Sequence, residues 1–122
     1  MITDKHTIGQ LGEELTAEYL RKHGYIIVKK NYRDRFGEID IIAENHTTLV
    51  FVEVKTRTQG ALVSGMEAID YHKQKRIKTT ALSFAKRLKL PLKLRFDVCE
   101  VTLIPKENGL VEPKLHYIPE AF

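Results

Sequence analysis

The chain has 122 residues, 43% hydrophobic and 30% charged, with a formal net charge of +4; this is enough for one domain, residues 1–122, with a hydrophobic core of its own. A lone cysteine, Cys99, excludes an internal disulfide and fits a reducing compartment. No apolar run approaches membrane-spanning length, and the N-terminal MITDKHTIGQLGEEL lacks the basic-then-apolar order of a secretory signal, so a soluble, cytoplasmic protein is expected.

From Thr7 to His23, Ile8, Leu11, Leu15 and Tyr19 recur at helical spacing, and Gly24 supplies a stop. Glu14 and Glu18 fall on the solvent side of this helix, with Glu18 placed to pair with Lys22 at i,i+4. Tyr25 to Arg33 reads as a strand. Gly37 to Glu44 and Leu49 to Thr56 are two more, joined by the polar loop Asn45, His46, Thr47, Thr48. Arg57 to Gly65 reads as a loop. A long helix then runs from about Met66 to Leu88, turning Ile69, Ile77, Ala81, Leu82, Phe84 and Ala85 inward, and Pro91 closes it. Lys93 to Leu103 forms another strand, and Lys114 to Ile118 a short last one. The order αβββαβ, with a terminal strand, fits a mixed sheet with helices packed on it, α/β or α+β.

The central hairpin carries the chemistry. A four-residue loop sets Glu44 opposite Leu49, so antiparallel pairing puts Ile42 opposite Phe51, Asp40 opposite Glu53 and Glu38 opposite Lys55. The other face pairs Ile39 with Val54, Ile41 with Val52 and Ala43 with Val50, wholly apolar and therefore core. Directly opposed residues have Cβ atoms roughly 4.5–5.5 Å apart, and like charges there repel. Asp40 and Glu53 must therefore share a proton or a cation. Oxygen ligands, with no His or Cys within easy reach on that face, suit Mg²⁺ or Mn²⁺ and disfavour zinc. Lys55, on the same face as Glu53, is placed to orient an attacking water or to offset developing negative charge. The bland alternative is that Glu53 and Lys55 blunt an edge strand, because an acid-x-Lys triplet arises by chance about once in such a chain. Glu112, Pro113 and Lys114 form such a decoy, with a proline that argues against a strand.

Between Tyr71 and Phe96 there is no acid, while Lys73, Lys75, Arg76, Lys78, Lys86, Arg87, Lys89, Lys93 and Arg95 all fall there. A window that forgoes i,i+4 ion pairs reads either as a phosphate-binding face or as a basic surface without a partner. Asp97 shares a strand face with Arg95 and Cys99 and is expected to form a structural pair, with Cys99 a small core residue.

The segments GQLGEELTAEYL, GEIDIIA, LVFVEVKTR and RFDV together resemble the YraN family of small bacterial proteins over nearly the whole chain. Asp40, then Glu53 and Lys55, match the motif of the PD-(D/E)xK nuclease superfamily, and the family is in turn similar to archaeal Holliday-junction resolvases. The resemblance implies a restriction-endonuclease-like αβββαβ core, a mixed sheet flanked by helices. It also implies that Glu13 of the first helix joins the metal site and that the backbone carbonyl of Val54 is a metal ligand. Lys73, Arg76 and Arg57 are implied to contact nucleic-acid phosphates, and the likeness to resolvases implies a two-fold dimer. The motif's proline before the first acid is replaced here by Ile39. Gly9 and Gly12, three apart on the first helix, each cost about 1 kcal/mol against alanine, so a close approach to that backbone is expected; a helix laid against the hairpin's acidic face meets that description.

The expected function is metal-dependent hydrolysis of phosphodiester bonds in DNA, branched or flapped DNA included. Catalysis would rest on Asp40, Glu53, Lys55 and Glu13, with recognition by shape and phosphate because no face is rich in aromatics. The alternatives are a nucleic-acid-binding module that does not cut and an adaptor that docks an acidic protein on its basic helix.

Overall fold

Helix α1 (Lys5–Lys22) leads into strands β1 (Ile26–Asp34), β2 (Gly37–Glu44) and β3 (Thr48–Thr58), followed by helix α2 (Tyr71–Ala85) and strands β4 (Lys93–Pro105) and β5 (Val111–Ile118). The computed structural model describes residues 5–60, 69–88 and 92–122. All five strands form one sheet in chain order, antiparallel except for the parallel pair β3–β4 that flanks α2 in sequence. The result is an α/β fold, a mixed sheet between two helices, as the element order predicts. No helix among the described residues is long and apolar enough to cross a membrane.

Each face of the sheet has its own core. Ile41, Ala43, Val50, Val52, Cys99, Val101 and Leu103 pack with Ala17 and Leu20 of α1. Tyr32, Ile39, Ile42, Leu49 and Phe51 pack with Ile77 and Ala81 of α2. Burial on both faces explains why IDIIA and LVFV read as near-continuous apolar runs.

Helix α1 begins two residues before its expected span and ends one residue short of it, and Glu18 pairs with Lys22 at 3.3 Å. Gly24, at φ +87°, ends it, while Tyr25 N donates to Leu20 O at 3.0 Å. The most deeply buried line on α1 is not the expected stripe of large residues. Thr16, Ala17 and Leu20 are fully buried, whereas Ile8, Leu11 and Leu15 pack at the margin. Gly12 explains this: a Cβ there would lie 1.8 Å from Thr56 Oγ1, so the helix axis sits close to β3. The expected close approach is therefore made by Thr56 on the α1 side of the sheet, not by the acidic face, and Gly9 takes no part because no atom of the described residues lies within 4 Å of its Cβ position. Gly12→Ala should cost about 2 kcal/mol in urea unfolding through overpacking. Gly9→Ala should stabilise by about 0.5–1 kcal/mol through helix propensity.

Helix α2 begins at Tyr71 rather than near Met66. Asp70 Oδ1 accepts from Lys73 N at 2.8 Å and caps the first turn, leaving Ile69 and Asp70 outside the helix. Met66 to Ala68 and Pro91 lie outside the described residues; the helix ends at Ala85. Leu82 is 53% exposed, contrary to expectation, because one residue past buried Ala81 is roughly 100° around the helix. Strands β3, β4 and β5 are each longer than expected. Pro113, expected to argue against a strand, lies within β5, an edge strand where a missing N–H breaks no ladder on the open side.

Candidate functional site

The hairpin register holds for Glu44–Leu49, Ala43–Val50, Ile42–Phe51 and Ile41–Val52, and then the β2–β3 ladder stops. The cause lies in β1 and β2 together. Asn31 adopts φ +51°, between the ladder pairs Lys30–Ile41 and Tyr32–Ile39. Asn is among the few residue types that tolerate this left-handed conformation. Directly across from it sits Asp40, and there the alternation of β2 breaks: Ile41 faces α1, yet Ile39 faces α2. The expected Ile39–Val54 pair on the α1 face therefore does not form. Ile39 is 1% exposed in the α2 core. Nor does Glu38 oppose Lys55; it lies exposed and accepts from Arg33 Nη2 at 2.8 Å.

Released from the ladder, Asp40 enters the split between β2 and β3. Its Oδ2 accepts from Val54 N at 2.8 Å, in place of a backbone carbonyl of β2. A residue in an antiparallel pair sends its N–H and C=O to the same neighbour, so the Val54 carbonyl belongs to this same opening. Glu53, 9% exposed, faces the α2 side, close enough for its carboxyl to act on that of Asp40. Burial, then the charge of Glu53, then that of Glu13 raise Asp40 from 3.8 to about 7, against the pull of the Val54 N–H. Asp40 thus keeps its proton close to neutrality.

Of the other expected residues, Lys73 contacts this pair directly, and the rest are placed less closely. Glu13 is half-buried on α1, across the sheet from Glu53, and reaches Asp40 through its charge alone. Lys55 is half-buried, and strand alternation puts it on the Glu53 face. Arg57, also half-buried, continues that face near the end of β3, level with Thr102. Lys73 turns inward: its Nζ lies 2.5 Å from Glu53 Oε1. Burial opposes its charge, but the hydrogen bond and the charges of Glu53 and Asp40 raise the ammonium above its ordinary value. Arg76, nearly one turn on, lines a cavity of about 420 Å³ between α2 and the β1–β2 turn, with Lys73 beside it.

Two residues missed from the sequence lie close by. Lys55 is level with Glu100 on β4, and Glu100 with His116 on β5, forming a row across three strands. Glu100 is 5% exposed, and His116 Nδ1 lies 2.9 Å from its Oε1. One histidine therefore does reach this face, but it is engaged by Glu100. Alternating polarity in VCEVTL and KLHYI was the available signal, and it becomes informative only once the β4–β5 register is known. Among the described residues, no set of three or more His, Cys, Asp or Glu side chains is grouped to hold a metal ion. The oxygen donors that converge are the two carboxylates, with the Val54 carbonyl beside them.

Asp97 is a buried acid of the opposite kind. It is fully buried and pairs with Arg95 through Nε at 2.9 Å and Nη2 at 2.8 Å. It also accepts from Tyr117 OH at 2.5 Å and from Glu120 N at 3.0 Å. The expected structural pair is present, and Cys99 is buried in the core.

Residues 12–101 match the model of a family described as "Uncharacterised protein family UPF0102". A UPF0102 protein of Dictyoglomus turgidum is 42% identical over 116 residues, covering 94% of this chain and 96% of that protein. One from Alkaliphilus oremlandii is 43% identical over 118 residues, 94% of this chain and 97% of its own length. One from Caldanaerobacter subterraneus is 42% identical over 120 residues, 98% and 97% respectively.

Proposed function

The chain belongs to the UPF0102 family, the YraN family of the sequence resemblance, and from that premise we propose that it is a metal-dependent nuclease of the PD-(D/E)xK type, hydrolysing phosphodiester bonds in DNA. What supports the reading above all is the meeting of Asp40 and Glu53 where the β2–β3 ladder parts, with Asp40 raised to about 7. Two acids in one buried site destabilise a fold unless a positive charge is to join them. The donors are all oxygen, the preference of Mg²⁺ and Mn²⁺.

Asp40, Glu53 and the Val54 carbonyl would hold the ion, which when bound supplies positive charge to the phosphate under attack. Glu13 adds negative potential from the α1 side and favours cation entry. Lys55, on the Glu53 face, either orients the water or offsets charge developing on the phosphate. Lys73, Arg76 and Arg57 provide phosphate contacts along the substrate strand. Lys73 has a double role, since it neutralises Glu53 as well.

Incubation with branched or linear DNA in Mn²⁺ is expected to give cutting that EDTA abolishes. Lys55→Ala should lower its rate on the order of 10²-fold. Cutting that survives Lys55→Ala unchanged places the activity elsewhere.

A second reading, a binding module that does not cut, is favoured by one observation: Lys73 already supplies Glu53 with a cation at 2.5 Å. It predicts salt-dependent DNA binding with no cutting in any divalent metal.

A further inference from the structure

At the tip of the β1–β2 hairpin, Arg35 and Phe36 form the turn. Asp34 Oδ1 accepts from Phe36 N at 2.8 Å, and Tyr32 OH donates to Asp34 Oδ2 at 3.2 Å, so the turn is held from within. Gly37 brings it against α2, its Cβ position lying 3.1 Å from Thr80 Oγ1. Phe36 nevertheless remains 38% exposed, and the Arg35 guanidinium lies 4.8 Å from its ring centroid. Turn tips are ordinarily polar, so an aromatic kept at the surface under a guanidinium calls for a reason.

The cavity of about 420 Å³ opens beside this turn, lined by Arg33, Arg35, Phe36, Lys73 and Arg76 among others. Its size suits a small ligand or one unit of a polymer. Arg33 and Glu38 neutralise one another, which leaves Arg35, Arg76 and Lys73 facing Asp34, with Lys73 shared with Glu53. Lys73 joins the cavity directly to the carboxylate pair through Glu53.

We propose that this cavity is a nucleotide subsite in which one unpaired base of a nucleic-acid strand stacks on Phe36 and its phosphate is held between Arg76 and Lys73. The assignment of the polymer rests on the nuclease reading; the stacking does not require cutting. Aromatic faces stack on bases of any sequence, and arginine stacks alongside. Within a duplex, base faces are covered by their neighbours, so only a single-stranded or splayed segment can use the platform. The substrate class that follows is DNA or RNA with an unpaired stretch beside the scissile phosphate.

The chain contains no tryptophan, so Phe36→Trp introduces a unique fluorophore at the platform. Titration of this variant in EDTA with a thymidine oligonucleotide is expected to quench it with the midpoint seen by fluorescence anisotropy of the same labelled strand. A blunt duplex of equal length should bind without quenching, and inorganic polyphosphate should not quench at all. Phe36→Ala and Arg35→Ala, each checked for folding by circular dichroism, should weaken single-strand binding about 5–10-fold and leave duplex binding unchanged. Binding without quenching, no strand binding at all, quenching by polyphosphate, or equal weakening on single strand and duplex would each overturn the subsite. The nuclease reading fails separately, on absence of metal-dependent cutting of DNA that does bind and quench.

Discussion

Asp40→Asn is expected to stabilise the protein and abolish its activity in one step. The folded carboxyl titrates at about 7 against an ordinary 3.8. Because the folded value is the higher one, the folded chain holds a proton that the unfolded chain gives up. This contribution to stability is fully present below about pH 4 and is lost as pH rises through about 7. A shift of that size is worth on the order of 2–4 kcal/mol at pH 8. Asparagine carries no charge and keeps an oxygen to accept from Val54 N. In EDTA, urea unfolding should therefore show Asp40→Asn ahead of wild type at pH 8, with the gap closing toward pH 4. Mn²⁺ should raise the melting temperature of wild type at pH 8 and leave Asp40→Asn unmoved. Cleavage should fall on the order of 10³-fold. A variant less stable than wild type at pH 8 would make Asp40 a structural acid and remove the main support for the nuclease reading.

Asp97→Ala should do the reverse. Asp97 has its acceptor sites filled by Arg95, Tyr117 and the Glu120 backbone. Its hydrogen bonds raise the Arg95 guanidinium above its ordinary value, and burial followed by the Asp97 hydrogen bond raises the Tyr117 phenol. Removing the acid leaves a guanidinium that is 19% exposed with the neutral Tyr25 hydroxyl in place of a carboxylate, and takes from the Tyr117 phenol the acceptor of its proton. Loss of one partner from a buried pair typically costs about 3–5 kcal/mol. Thermal and urea unfolding should register that loss at every pH from 5 to 8, while whatever remains folded keeps its metal dependence. A loss below about 1 kcal/mol would show that Arg95 and Tyr117 find other partners. Together the two variants separate an acid that serves the fold from one that burdens it.

Much of the fold was legible because it rests on short-range rules. Helical spacing in α1, the Asn45 loop and the alternation around Ile41–Val52 predicted the elements and four hairpin pairs in the right register. Periodicity carries α2 back past its true start because Ile69 is apolar and packs on the core without being helical, whereas the cap is Asp70, directly before Tyr71.

The residues of the candidate site could be named from the sequence, but not how they meet. Alternation extrapolated past Ile41 opposes Asp40 to Glu53 across an unbroken ladder; the chain instead parts there, with Asn31 turned left-handed across from Asp40. That turn depends on β1 pairing with β2, and its signal, one asparagine in KKNYR, is weak by itself. Lys73 on Glu53, Thr56 against Gly12 and His116 on Glu100 join residues 20, 44 and 16 positions apart, as their numbering shows. Local pattern determined which side chains stand on each element, since periodicity and turn chemistry act over a few residues. Which acids meet, and which lysine faces them, was decided only when both helices closed on the sheet, because burial and Coulomb energy depend on distance in space rather than along the chain.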